Sequence, residues 1–307
     1  MMKNIIPPSD QPSAYNMYEN VEYSEYWNVA YRRKLNELEH AIVQELLPAA
    51  GNRILDLGCG YGRMADCYLG RFRDVVMFDG SLSLLRTAQK VTDGKAYYVV
   101  GDINYLPFHP ATFDNILMVL VLHHLTEPAR CLDNIGKVIC KGGRFVMTYR
   151  NKRNALWMAK YLVGALHGNP FTKEPLLLEA NIFNHHPAYI AELMTAAGFE
   201  SLTYRGAGVF DKVEKSLGRF AKWVPRGDFW TPLFGKLFLA PWIFCRGISQ
   251  NRETLRSSEN VESLLACPRC KSELEREASG VKCMRCRTRY PNLDGIIDMR
   301  IEPQATS

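Results

Sequence analysis

Residues 54–62 read Ile54-Leu55-Asp56-Leu57-Gly58-Cys59-Gly60-Tyr61-Gly62. A short apolar run carries an aspartate near its end, three glycines follow at alternate positions, and Arg63–Leu69 reads as a helix. Strand, glycine turn and helix in that order open a parallel sheet that binds ligands at the carboxyl ends of its strands. Glycine suits such a turn because it has no Cβ to keep a ligand away from the backbone. Outward from the loop the alternation repeats. Strands are predicted over Arg53–Leu57, Asp74–Phe78, Ala96–Val100, Asp114–Leu120 and Gly143–Tyr149, and helices over Leu82–Val91 and Pro128–Ile139. Upstream, Leu35, Leu38, Ile42 and Leu46 recur at helical steps until Pro48. Downstream, Pro187–Ala197 predicts a helix ended by Gly198, and Phe199–Gly206 a strand. The pattern predicts an α/β fold, a mostly parallel sheet with helices on both faces.

Three strand ends carry chemistry. A carboxylate at Asp56, just before the glycines, repels a pyrophosphate and suits a ligand bearing an ammonium group. Asp79 ends the second strand, where a carboxylate accepts from ribose hydroxyls. Gly101-Asp102-Ile103 follows the third, where an aspartate can accept from an adenine amino group and a backbone amide can donate to a ring nitrogen. An amino acid, a ribose and an adenine in line is the layout of S-adenosylmethionine. Asp56 and Asp102 count against a nicotinamide dinucleotide and a dehydrogenase.

On these residues the chain resembles the class I S-adenosylmethionine-dependent methyltransferases, in particular the group that includes the ubiquinone and menaquinone methyltransferases. Ile54–Gly62 is similar to their first motif, Phe78-Asp79-Gly80-Ser81 to the second and Gly101-Asp102-Ile103 to the third. Phe113-Asp114-Asn115-Ile116 through His123-His124-Leu125 resembles the fourth strand and its loop, and Lys141-Gly142-Gly143-Arg144-Phe145 the turn into the fifth. The resemblance covers residues 28–150 closely and 187–248 more loosely. It implies a Rossmann-like seven-stranded sheet and transfer of a methyl group from S-adenosylmethionine by in-line displacement. It also implies that Gly58, Cys59, Gly60 and Gly62 wrap the methionine part, with Asp56 supporting the loop and the ammonium. Asp79 would hold the ribose, Asp102 and Ile103 the adenine, and Val119 and Leu120 would border the sulfonium; plain burial in the strand is the competing account of the last two. His123, His124 and Tyr149 are candidate bases, against packing and backbone bonding as the plainer account, so no catalytic residue is assigned.

Length and composition bound the rest. The chain has 307 residues, 47% hydrophobic and 23% charged, which excludes wholesale disorder. Its net charge is +6, too small to argue nucleic-acid binding, and most of it is local: residues 201–250 hold eight Lys/Arg against three Asp/Glu. There the basic residues interleave with Phe220, Trp223, Phe229, Trp230, Phe234, Phe238 and Trp242. A methyl acceptor that is a small or lipid-like molecule is expected, with segment 204–244 as an apolar wall or a peripheral membrane contact. RNA is the alternative acceptor, and a non-catalytic cofactor-binding scaffold a second one. The fourth motif lacks Asn/Asp-Pro-Pro-Tyr/Phe, which by resemblance turns the reading away from planar amino nitrogens.

Of nine cysteines, five stand singly. The other four form Cys267-Pro-Arg-Cys270 and Cys283-Met-Arg-Cys286, with twelve residues between the pairs. Two such knuckles offer four thiolates to a tetrahedral structural zinc ion, with no open position for water. The stretch after them, Tyr290-Pro-Asn-Leu-Asp-Gly-Ile-Ile297, resembles the small zinc-ribbon activator subunit of tRNA, rRNA and release-factor methyltransferases. The expected organisation is an N-terminal arm or lid (1–27, with Tyr15, Tyr23 and Tyr26), a methyltransferase domain (28–250, including an insertion at 151–183 and the basic aromatic segment 207–240), a polar linker (249–262) and a β-rich zinc ribbon (263–301). No uncharged apolar run of about 18 residues and no apolar leader are seen, so no transmembrane helix is expected and the reading is cytoplasmic. In that reducing setting clustered cysteines point to metal rather than disulfides.

Overall fold

The computed structural model describes residues 30–166, 168–179, 182–209, 231–257 and 260–301. The arm 1–27, and residues 210–230 of the basic aromatic segment, lie outside the described residues. The strands are β1 (Gly51–Leu57), β2 (Phe72–Asp79), β3 (Tyr97–Val100), β4 (Phe113–Met118), β5 (Ile139–Arg150), β6 (Leu176–Glu179), β7 (Ile182–Asn184), β8 (Phe199–Ala207), β9 (Trp242–Ser249), β10 (Leu274–Glu277), β11 (Gly280–Cys283), β12 (Arg289–Leu293) and β13 (Ile296–Asp298). The helices are α1 (Ala30–Leu46), α2 (Leu82–Val91), α3 (Pro128–Val138), α4 (Ala155–Leu162), α5 (Pro187–Ala196) and α6 (Thr231–Lys236).

Seven strands stand in the order β3-β2-β1-β4-β5-β9-β8. β3, β2, β1, β4 and β5 pair in parallel, and β9 runs antiparallel between β5 and β8. This is the seven-stranded, mostly parallel sheet expected. Period-two alternation builds a core on each face. Leu55, Leu57, Val76, Phe78, Ile116 and Met118 join one buried cluster, while Ile54, Val75, Met77 and Leu117 join the other. The sheet order reverses between β1 and β4, which opens a crevice at the carboxyl ends of the strands.

The ribbon is not a separate layer. β13 pairs in parallel with β3, Ile297 opposite Val99, so β10-β11-β12-β13 continue the sheet to eleven strands. Met299 N donates to Val100 O at 2.8 Å, Lys271 Nζ to Leu106 O at 2.7 Å, and Gln89 Nε2 to Asp294 O at 2.9 Å. Val281, Tyr290 and Ile297 enter one core cluster of the domain and Ile296 the other. The described part of the polar stretch 249–262 is bonded to the domain at residues 251, 253 and 256. Asn251 Nδ2 donates to Ile139 O at 2.8 Å, Lys141 N to Glu253 O at 2.7 Å and Arg256 N to Ala111 O at 2.9 Å.

Two local readings are corrected. Arg63–Leu69 forms only a 3-10 turn, Ala65–Cys67, because the glycine loop feeds into i→i+3 bonds from Gly62 N to Cys59 O and Ala65 N to Gly62 O. The insertion 151–183, irregular by pattern, contains α4 and most of the β6–β7 hairpin. Its residues are almost uniformly apolar in α4, so no periodicity marks the helix; Asn154 caps it by accepting from Trp157 N at 3.1 Å.

Candidate functional site

The glycine loop leaves β1 with Gly58, Gly60 and Gly62 at φ of +76°, +55° and +86°. Gly58 and Cys59 both donate backbone N–H to Phe78 O, at 2.7 and 3.1 Å, which folds the loop over the end of β2. A Cβ on Gly58 would lie 2.4 Å from Val121 Cγ2, so that position tolerates no side chain, whereas at Gly60 only open space is met. Asp79 clamps the same loop: Oδ2 accepts from Gly60 N at 2.8 Å and Oδ1 from Ser81 N at 2.9 Å.

Below the loop is a cavity of about 210 Å³ at the ends of β1, β2, β3 and β4. Asp56, Gly58, Cys59, Gly60, Asp79, Ile103, Val119 and Leu120 line it, and Gly62 and Asp102 do not. Gly62 instead packs near Met77 and Ala88. Asp102 turns its carboxylate to Asn104 N at 2.7 Å, capping the 3-10 turn that carries Ile103. Of the candidate bases, His124 lines the cavity. His123 and Tyr149 are buried and do not, and neither His123 Nδ1 nor the Tyr149 hydroxyl finds a partner among the described residues. Burial, with His124 and Arg150 close by, pushes the His123 imidazole well below its usual range.

Leu120 has φ +60°, a left-handed conformation rare for a branched residue, costing on the order of 1–3 kcal/mol. Its N–H donates to Thr148 Oγ1 at 2.7 Å, a bond from the neighbouring strand that holds the turn at the cavity wall.

Asp56 is buried, and its Oδ2 accepts from the Tyr68 hydroxyl at 2.7 Å. Burial, with the negative Asp79 beside it, pushes its carboxyl up to about 7 against the opposing pull of Tyr68 and Arg63. Arg63 and Tyr61, which also line the cavity, went unnoticed in the sequence. Arg63 donates to Asn36 Oδ1 and to the buried Glu39 Oε2, each at 2.7 Å, so α1 fixes it at the rim. The signal available was its place immediately after Gly62.

The four clustered cysteines converge: their sulfurs all lie within 4.8 Å of one another. Cys267 and Cys286 sulfurs are 3.6 Å apart and those of Cys270 and Cys283 3.4 Å, near the roughly 3.8 Å edge of a tetrahedron with metal–sulfur bonds of about 2.3 Å. The two knuckles share one backbone form. The residue after each Cys-x-x-Cys, Lys271 or Arg287, has φ near +60° and donates its N–H to the first cysteine's carbonyl. Hydrogen bonding by Ser272 and Thr288 holds the Cys270 and Cys286 thiols below the usual range, Cys270 at about 6. This donor set can hold a metal ion.

Known proteins share these features. Residues 55–147 match the methyltransferase domain family. A demethylmenaquinone methyltransferase from Clavibacter sepedonicus is 31% identical over 35% of this chain and 44% of its own length. A ubiquinone biosynthesis O-methyltransferase from Thiobacillus denitrificans is 30% identical over 43% of this chain and 58% of its own. The chain thus spans about half the length of these curated relatives. Among solved structures, an S-adenosylmethionine-dependent methyltransferase from Thermotoga maritima superposes with TM-score 0.51 at 18% identity, over 78% of this chain and all of that one. A complex of the Haloferax volcanii Trm112 methyltransferase activator with a methyltransferase gives TM-score 0.52 at 15% identity, over 76% of this chain and 97% of the matched chain. At these identities the two structures speak for the fold alone. The match to the methyltransferase domain family thus falls on residues 55–147, which hold the end of β1, all of β2 to β4 and most of β5, in a sheet extended at one edge by a four-cysteine ribbon.

Proposed function

We propose that this protein transfers a methyl group from S-adenosylmethionine to a small or lipid-like acceptor. The observation that carries the reading is the convergence of three strand ends on one cavity. Asp56 and Arg63 set opposite charges where the ammonium and carboxylate of the methionine part belong. Asp79 suits the ribose: a carboxylate has about four acceptor sites, so holding the turn is compatible with taking hydroxyls. Ile103 walls the adenine. The cofactor supplies a methyl group already activated on a sulfonium, so the chain's work is alignment and exclusion of water. Leu120, fixed by Thr148, shapes the wall beside the sulfonium, and an acceptor that starts protonated would give its proton to His124. The names of the quinone methyltransferase relatives support a lipid-like acceptor. The four cysteines hold a structural zinc ion, and the protein works in a reducing cytoplasm.

Calorimetry with S-adenosylhomocysteine tests the cofactor reading. Wild type binds, and Asp79→Asn weakens binding by roughly tenfold to a hundredfold, the worth of a hydrogen bond to a charged group. No binding by the wild type at millimolar ligand sinks it. Methyl transfer from labelled cofactor to extract separated into lipid, RNA and small-molecule fractions decides the acceptor; label confined to RNA overturns the lipid-like reading.

A further inference from the structure

Seven of the eight residues of α4, Ala-Leu-Trp-Met-Ala-Lys-Tyr-Leu, are apolar or aromatic, yet none is buried. Leu162 and Val163, at its end, are 75% and 77% exposed. Helices of this composition are normally core, and an exposed apolar helix marks a surface that something covers. Leu156, Phe171, Leu177 and Leu178 are exposed as well. These pieces are fastened to one short stretch at the end of β5. Lys152, itself buried, donates its Nζ to Thr172 Oγ1 at 3.0 Å and to Glu174 O at 2.5 Å. Phe171 packs edge-on against Tyr161, and Ala155 N donates to Leu239 O at 3.0 Å, which brings in the α6 turn with its exposed Leu233 and Leu237.

We propose that this face is a docking surface for an anionic lipid bilayer, with α4 lying in the interface. The composition favours lipid over a protein partner. Trp157 and Tyr161, one helical turn apart, are the aromatic residues that settle at headgroup level, and Lys160 between them can extend its ammonium to lipid phosphates. Lys173 is ion-paired with the exposed Glu192, and exposed Lys160 and Lys236 remain against Glu174 on the described part of this face. The helix is also anchored on the side of the sheet where the strands end. His185, beside α4's anchor, pairs backbone with Asn151 and Lys152, on the carboxyl-end side of the sheet that bears the cavity. Docked there, the protein would present its cavity mouth to the layer that holds a lipid-like acceptor; to that extent the inference rests on the function proposed above. It places the membrane contact on the 151–183 insertion and α6 rather than on residues 210–230 between them.

The test is co-sedimentation of the full chain with phosphatidylglycerol-containing vesicles, against phosphatidylcholine alone. Wild type is expected on the anionic vesicles, with a blue shift of tryptophan emission that Trp157→Phe reduces. Leu162→Glu with Val163→Glu is expected to lower the partition coefficient by tenfold or more, since two charges replace apolar groups at the interface. S-adenosylhomocysteine binding by the double variant should stay unchanged, which shows that it folds. Four results overturn the proposal: no vesicle binding by wild type; equal binding by the double variant; a wild-type dimer that the double variant loses, which assigns the face to a second copy; or vesicle binding lost only on charge reversal within residues 210–230. Vesicle binding is read without cofactor, so failure of the methyl-transfer reading leaves it standing and is seen separately.

Discussion

The ribbon and the 151–183 insertion hold similar apolar residues and meet opposite fates. In the ribbon, Leu264 and Ile296 are fully buried and Val281 is 5% exposed. In the insertion, Leu162 and Val163 are mostly in solvent. The difference lies in what each can pair with. β3 would be the edge of the sheet, an open row of N–H and C=O groups, and β13 takes it. Hydrogen bonds along that edge bring alternate ribbon side chains onto both faces of the core. The insertion leaves β5 at its carboxyl end, where β4 and β9 already flank the strand, so β6 and β7 form a two-stranded sheet of their own, tied to the chain after β5 through His185, and α4 buries none of its residues.

The contrast can be broken in steps of decreasing size. The largest effect is expected from removing one of the four cysteines proposed to hold zinc. Cys283→Ser, or a chelator, should release about one zinc per chain and lower unfolding stability by at least several kcal/mol, because ribbon strands held by thiolates lose their framework. Metal analysis with denaturant titration checks this; a variant that is metal-free yet as stable as wild type would show that pairing to β3 alone holds the ribbon. Next, Ile296→Ala empties a fully buried site between ribbon and domain and should cost about 2–5 kcal/mol. A cost below about 1 kcal/mol in the same titration would mean the two cores are not joined.

The cavity lies between the two regions and has its own signature. Asp56 titrates near 7 in the folded chain and near 4 when unfolded, so the native state holds the extra proton between those values. Stability should therefore fall as pH rises from about 4 to 7 and level off above, by a few kcal/mol at most. Asp56→Asn should flatten that slope, and denaturation of both proteins across the range is the check. Binding of a ligand with an ammonium group should strengthen over the same approach to neutrality, as the carboxylate becomes charged. The smallest effect belongs to α4: Leu162→Ala should change stability by no more than about 0.5 kcal/mol. A loss comparable to that of Ile296→Ala would show that Leu162 is covered in the free protein.

Much of the site was legible because it is local. Gly58, Gly60 and Ile103 follow, and Asp79 ends, strands marked by short apolar runs, and a parallel sheet places such ends side by side. Asp102 shows the limit: it does follow β3, but its carboxylate accepts from Asn104 N two residues on and does not line the cavity. Arg63 and Tyr68 escaped because their importance comes from partners far along the chain or across a turn, Glu39 for one and Asp56 for the other. Of the three candidate bases, only burial separates His124 from His123 and Tyr149.

The order of strands and helices, the glycine loop and the pairing of cysteines into two knuckles were determined by the sequence alone, since each rests on spacing within a few residues. Only the tertiary structure decided that the ribbon ends as a strand of the domain's own sheet and that an apolar helix stands in solvent. Both are questions of which long-range partner is available. Backbone groups at an open edge must find one and the ribbon supplies it, while the apolar side chains of α4 find none within the described chain.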